Sequence, residues 1–137
     1  MSDEVTYRGS LSIRKLSGAI TQMDYRSNPT TFLADLTGLK GPTLGCIAVA
    51  TGGTDVDLSE LTTPGFCFLY NQDDENYVEY GIWDGSTFWP LGELGPGEHN
   101  VLKLSRNLDL GVGTAYGSLR LKANTAACNV VVDVFER

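Results

Sequence analysis

The chain has 137 residues and a formal net charge of −7, with 42% hydrophobic and 20% charged residues. This size allows a single domain whose core needs no disulfide or metal. The acidity and the lack of a dense basic patch exclude a typical nucleic-acid-binding protein and favour a neutral or basic partner surface. No apolar run approaches the ~20 residues that span a bilayer, and the acidic residues 1–4 predict no secretory signal, so we expect no membrane association.

The first third of the chain predicts three strands. Apolar and polar residues alternate over 5–13, which is the pattern of an amphipathic strand. Two further strands are predicted over 19–25 and 31–36. A loop with two glycines and a proline follows over 37–43.

The next segment predicts one buried strand and one short helical turn. Residues 44–51 are apolar throughout, which favours a central strand that is covered on both faces. Asp57 and Glu60 are three residues apart, the spacing of a capping box. We therefore expect a short helical turn near residues 57–62.

Two hairpins are predicted in the middle of the chain. The strands over 66–71 and 77–83 flank a polar stretch, which is typical of a hairpin. The Asp84-Gly85 pair is a strong turn signal and makes residues 77–91 a second hairpin. Pro90 cannot donate to a β-ladder and therefore indicates an edge strand.

The last third of the chain completes a pattern of many short strands. Pro96-Gly97 fits the two central positions of a type II turn. Strands follow over 99–105, 119–122 and 128–135. Turn signals recur every ~8–12 residues, as in sandwiches and jelly rolls.

We therefore predict an all-β fold: an antiparallel, jelly-roll-like β-sandwich. It forms a single domain over residues 6–137, preceded by a flexible N-terminal arm over residues 1–5.

The cysteines predict no disulfide framework. Cys46, Cys67 and Cys128 are odd in number, widely spaced and flanked by apolar residues. We expect all three to be reduced and largely buried, as small hydrophobic side chains. Reduced cysteines fit a protein that folds in a cytoplasm.

Candidate catalytic and metal-binding residues are few. His99 is the single histidine, and no nucleophile motif accompanies it, so we predict no enzymatic activity. Asp73, Asp74 and Glu75 offer oxygen ligands for calcium, but the spacing is not that of an EF-hand, and a solvated hairpin tip is favoured. We predict no cofactor and no required metal.

Aromatic residues are concentrated around the Asp84-Gly85 turn. Their clustering leaves two interpretations open, a core between two sheets or an exposed platform that binds sugar. The core is favoured for most of them, with one tryptophan exposed. The residues are Tyr77, Tyr80, Trp83, Phe88 and Trp89.

Several turn and strand-edge motifs occur in a fixed order. They are Asp57-Leu58-Ser59-Glu60-Leu61, Pro64-Gly65, Asn71, Asn76-Tyr77-Val78-Glu79-Tyr80-Gly81, Pro90-Leu91, Pro96-Gly97-Glu98 and Val131-Val132-Asp133-Val134-Phe135-Glu136-Arg137. This order resembles small accessory virion proteins of tailed bacteriophages over residues 44–137. That family consists of β-sandwich proteins of the capsid or tail, and none of its motifs carries known catalytic chemistry.

The resemblance implies a structural virion protein that folds in the host cytoplasm before assembly. We expect a capsid cement or decoration protein that binds the outer shell and clamps neighbouring subunits of the major capsid protein. A tail or baseplate component is the alternative, and a carbohydrate-binding module that recognises the host surface is a third reading. We expect a homotrimer, with contacts through the aromatic hairpin or the N-terminal arm. The candidate interface residues are Trp83, Phe88, Trp89, Pro90, Leu91, Ser2, Asp3 and Glu4.

Overall fold

The computed structural model describes residues 5–18, 20–34, 43–111 and 117–137. It divides into two compact units, residues 1–36 and residues 37–137. The single domain predicted over 6–137 stays a prediction. The predicted arm lies outside the described residues except for Val5, which begins the first strand.

The first unit contains two antiparallel strand pairs, β1 with β4 and β2 with β3. The strand predicted over 5–13 is divided into β1 and the start of β2, because Ser10 and Leu11 belong to no strand. The Leu11 N–H donates to Ser27 Oγ at 2.7 Å, and the Ser27 N–H donates back to the Leu11 carbonyl at 2.8 Å. The strands are Val5–Gly9 (β1), Ser12–Ser17 (β2), Ile20–Arg26 (β3) and Thr30–Ala34 (β4).

The second unit contains two four-stranded antiparallel sheets. Their strand orders are β10-β7-β12-β5 and β6-β11-β8-β9. The strands are Thr43–Val49 (β5), Thr54–Asp55 (β6), Pro64–Asn71 (β7), Val78–Trp83 (β8), Phe88–Leu94 (β9), His99–Lys103 (β10), Ser118–Ala123 (β11) and Cys128–Glu136 (β12).

The core of the second unit lies between the two sheets. Alternation along each strand sends every second side chain inward, and the inward residues of both sheets form one buried cluster. Burying each such aliphatic side chain stabilises the fold by about 1.5–3 kcal/mol. The predicted all-β sandwich is confirmed, while its jelly-roll character stays a prediction. The buried residues include Cys67, Leu69, Val130, Val132 and Val134 from one sheet and Val78, Leu94, Leu119 and Leu121 from the other.

Two predictions of strand position are wrong. Strand β5 is not central; it lies at one edge of its sheet and pairs with β12 alone among the described residues. Strands β7 and β8 do not form a hairpin, because they belong to different sheets. An apolar alternation fixes which face of a strand is buried, but it does not fix which strand lies beside it.

The hairpin over residues 77–91 is confirmed as β8 and β9. Strand β9 is an edge strand, as Pro90 predicts. The register shifts between Tyr80 and Gly81, where Gly81 faces Pro90. A Cβ atom on Gly81 would lie 2.1 Å from the Trp89 carbonyl oxygen, so this close approach of two strands requires glycine.

The two predicted turns differ in outcome. Residues 57–62 contain a single hydrogen-bonded turn, in which the Leu61 N–H donates to the Leu58 carbonyl at 2.9 Å, and no helix. The Pro96-Gly97 turn forms as predicted. The Glu98 N–H donates to the Gly95 carbonyl at 3.1 Å, and Gly97 has the positive φ of 72° that a type II turn requires.

The expectation of free thiols is confirmed, and the expectation that all three cysteines are buried is wrong. All three are free thiols, and Cys67 and Cys128 are buried. The predicted burial of Cys46 is wrong, because its side chain is exposed. Cys46 lies on an edge strand that has alternate exposed positions, whereas apolar flanking residues had indicated a central strand.

The buried side chain of Asn71, at the end of β7, links the two sheets. Its amide Nδ2 donates to the carbonyl oxygens of Asn76 at 2.8 Å and of Leu94 and Gly95 at 3.2 Å each. Its Oδ1 accepts the Asp73 N–H at 3.1 Å. The side chain is fully buried, so these groups have no access to water. Asn71 therefore fixes the end of one sheet against the end of β9 in the other sheet and against the loop that precedes β8.

We predict that Asn71→Asp destabilises the protein by about 3 kcal/mol or more, because it replaces the amide donor with an oxygen that faces three carbonyl groups. Chemical denaturation measures the free energy of unfolding. Asn129→Asp, at an exposed position of β12, is the matched control and should change it little. A loss below about 1 kcal/mol for Asn71→Asp would show that the linkage contributes little.

We also predict that a maleimide labels Cys46 rapidly in the native protein, while Cys67 reacts only on unfolding. Burial, and secondarily the nearby Asp133 carboxylate, raises the pKa of the Cys67 thiol to about 12, so almost none of it is the reactive thiolate. Peptide mapping after a short pulse identifies the labelled site, and Cys46→Ser should abolish native labelling. Native labelling of Cys67 would contradict its burial.

Candidate functional site

The most exposed apolar side chains of the second unit lie on edge strand β9. Trp89 is 58% exposed and Leu91 is 71% exposed, with the exposed Pro90 between them. These three residues are named the β9 strip; Pro90 is opposite Gly81 and lies on the other face of the edge strand from Trp89. Interface cores are enriched in aromatic residues, and exposed apolar side chains grouped on a protein surface commonly mark an interaction site.

The turn before β9 holds the indole of Trp89 in place. The Asp84 carboxylate accepts the Trp89 indole N–H at 2.8 Å, the Thr87 N–H at 2.7 Å and the Ser86 N–H at 2.9 Å. These donors, the Trp89 indole first, lower the pKa of Asp84 below its ordinary value. The polar end of the indole is therefore satisfied within the chain, and its apolar ring stays available to a partner.

An apolar groove of about 400 Å³ opens beside the strip. It lies between β9 and β10, the edge strands of the two sheets, and inner-face side chains of the sandwich form its floor. A groove of this size and character accommodates apolar side chains of a partner. The lining residues are Tyr80, Ile82, Leu91, Leu102, Lys103, Leu104, Ser105, Leu108 and Leu119.

Trp83 and Phe88, also predicted at the interface, lie apart from the strip. The register pairs Trp83 with Phe88 and Ile82 with Trp89, so alternation directs Trp83 and Phe88 to the opposite face of the sheet. Both are half-buried. The Arg120 guanidinium lies 3.6 Å from the centre of the Trp83 ring, and the Arg120 Nε donates to Asp55 at 2.5 Å.

The remaining candidates are placed as follows. Ser2, Asp3 and Glu4 lie outside the described residues. His99 is exposed, and its ring centre is 5.8 Å from that of Phe68. Tyr80 is half-buried and its hydroxyl accepts the Asn100 amide at 3.0 Å.

The acidic segment considered for calcium has a structural role in its own loop. One carboxylate oxygen of Asp73 accepts the N–H groups of Glu75 at 2.9 Å and of Asn76 at 2.5 Å. This use of the carboxylate, with the Asn76 N–H as the largest cause, lowers the pKa of Asp73. Within the described parts of the chain, no three His, Cys, Asp or Glu side chains are arranged to hold a metal.

Sequence reasoning identified the strip but missed the groove. Leu102, Leu104, Leu108 and Leu119 are ordinary core-type residues in the sequence. Leu102 and Leu108 are half-buried while Leu104 and Leu119 are buried, and all four line the groove because β9 and β10 lie in different sheets, which no local pattern reveals.

Searches against protein-family models, curated proteins and solved structures found no significant match to this chain. Among the described residues, no helix has the length and apolar character of a membrane span.

We predict that the bond between Asp84 and the Trp89 indole survives to unusually low pH. A carboxylate whose folded-state pKa is lowered stabilises the fold above the unfolded pKa, and this contribution is lost as the pH falls through the lower, folded pKa. The Trp89 indole N–H resonance should keep its hydrogen-bonded chemical shift below about pH 4, the unfolded pKa of an aspartate.

Asp84→Asn should move this resonance at neutral pH, since it removes the charge and retains the shape. Asp74→Asn, at an exposed position two residues before Asn76, is the control and should leave it in place. A resonance that titrates with an ordinary aspartate pKa would contradict the prediction.

Proposed function

We propose that this protein is a structural accessory protein of a tailed-bacteriophage virion, a cement or decoration protein that binds the outer capsid shell. The observation that carries the proposal is the β9 strip beside the apolar groove. It supplies one attachment surface on a rigid sandwich. The strip also lies within residues 44–137, the part of the chain that resembles accessory virion proteins.

The strip and the groove beside it supply the projecting side chains and the cavity of an apolar contact. The side chains of Trp89 and Leu91 project from the edge strand, and the groove next to them receives side chains from a partner. Full burial of such side chains contributes about 1.5–3 kcal/mol each. A modest single contact of this kind becomes strong when many copies bind a symmetric shell.

The proposed partner is the major capsid protein, and the proposed location is the mature virion after folding in the host cytoplasm. The charge of −7 favours a neutral or basic patch on the shell. A homotrimer and a contact through the N-terminal arm stay predictions. A tail or baseplate position would use the same attachment surface against a different virion protein.

A carbohydrate-binding module is the second candidate, and the exposed ring of Trp89 beside Asp84 favours it. The wider aromatic platform that sugar binding requires is reduced, because Arg120 covers the Trp83 ring and Tyr80 is half-buried. We therefore place attachment to a protein surface first.

Purified particles test the proposal. We expect the chain to be present at a fixed copy number, and we expect Trp89→Ala and Leu91→Ala to weaken its rebinding to stripped particles by about 30-fold each, as for interface residues worth ~2 kcal/mol. Tyr77→Ala is the matched control, because Tyr77 is a 40% exposed aromatic residue outside the strip.

Absence of the chain from purified particles would overturn the virion proposal. Normal rebinding of both strip variants would leave a virion location intact and exclude the strip as its contact. Binding of host polysaccharide that depends on Trp89, with no binding to particles, would favour the carbohydrate candidate instead.

A further inference from the structure

The four sheet edges of the second unit are not equally protected against pairing with another chain. Edge strands commonly carry proline or charge, or are very short, which prevents unwanted pairing. Strand β9 carries Pro90 and Glu93, β10 carries Lys103, and β6 has only two residues.

Strand β5 has none of these protections. Its seven residues, Thr43–Val49, contain no charged residue and no proline. The ladder to β12 runs without a register shift over the whole strand, and the most regular part of the strand follows Gly45, whose φ is 87°. In the part of the chain that the structure describes, no strand pairs with the other side of β5. The side chains of Leu44, Cys46 and Ala48 are exposed.

We propose that β5 pairs antiparallel with β5 of a second copy of this chain across a two-fold axis, which makes a dimer, and not the homotrimer expected from the sequence, the assembly to be observed in solution. The sequence of β5 has the composition of a central strand, and this pairing makes it one, within a continuous eight-stranded sheet. Among the four edges, β5 is the one at which a second copy pairs without bringing like charges into contact, because the other three each carry a charged residue. Two molecules with a net charge of −7 repel each other, and an uncharged strand brings them together without like charges in contact.

The two-fold axis restricts the register. Directly opposite residues of an antiparallel pair have their side chains on the same face of the sheet. A two-fold axis perpendicular to the sheet therefore places one residue of β5 opposite the same residue of the second copy. An axis midway between two consecutive residues would place side chains from opposite faces across from each other. The register with the most pairs joins Thr43 to Val49 of the second copy. Cys46, the middle residue of β5, then lies opposite Cys46 of the second copy. Opposite Cα atoms are about 4.5–5.5 Å apart in such pairs, within the range of about 4.4–6.8 Å for disulfides.

A disulfide cross-link between the two Cys46 side chains therefore tests the contact. Copper phenanthroline oxidises the two thiols to one disulfide, with removal of two electrons and two protons. We expect a covalent dimer on a non-reducing gel, with a Cys46–Cys46 cross-link in peptide mapping. Cys46→Ser should abolish the cross-link and leave the dimer mass in light scattering unchanged. A monomer at the highest soluble concentration would overturn the proposal.

Charge at the same position gives a second test. Cys46→Lys should weaken the dimer about fivefold or more, because two lysines then face each other. Ala48→Lys is the matched control, since it adds the same charge to the same exposed face opposite Leu44 of the second copy, and it should weaken the dimer less. An equimolar mixture of Cys46→Lys and Cys46→Glu proteins should restore dimer formation.

We expect each variant to retain the β fold in circular dichroism, because the substituted side chains are exposed. An equal effect of the two lysine variants would contradict this register. A dimer or trimer that Cys46→Lys leaves intact would contradict pairing through β5.

Discussion

The buried amide of Asn71 is the constraint on which the sandwich depends. Two sheets that share an apolar core can slide over each other, because dispersion and burial have little directionality. The hydrogen bonds of the Asn71 side chain are directional, since its amide donates to the carbonyl groups of Leu94 at the end of β9, of Gly95 just after it and of Asn76 in the loop before β8. The corner between β9 and β10 is held by the same residue, whose backbone N–H donates to the Glu98 carbonyl at 2.9 Å.

The candidate interface follows from that corner. Strands β9 and β10 leave it on different sheets, so no ladder closes the space between them, and an apolar groove forms there. The bulge opposite Gly81 and the hydrogen bond from the Trp89 indole to Asp84 then determine where Trp89 lies, and they leave its ring exposed. A rigid corner and one fixed aromatic side chain suit a protein that attaches to a surface without changing shape.

The sequence allowed the strands of the second unit, except the two-residue β6, and the edge position of β9 to be predicted, because alternation, Asp84-Gly85 and Pro90 act locally. The partners of β7 and β8 depend on long-range pairing and could not be predicted in this way. The uncharged composition of β5 indicated a central strand, whereas the structure places it at an edge with Cys46 exposed. The groove arises from sheet topology, so no short motif could have revealed it.

The central claim is that the sandwich attaches to a virion shell through the β9 strip. A cryo-electron-microscopy map of the intact particle tests it most directly. The account predicts density for this chain on the outer capsid surface, with Trp89 and Leu91 facing the shell. Density for the chain with the β9 strip exposed to solvent, or a particle without the chain, would contradict it.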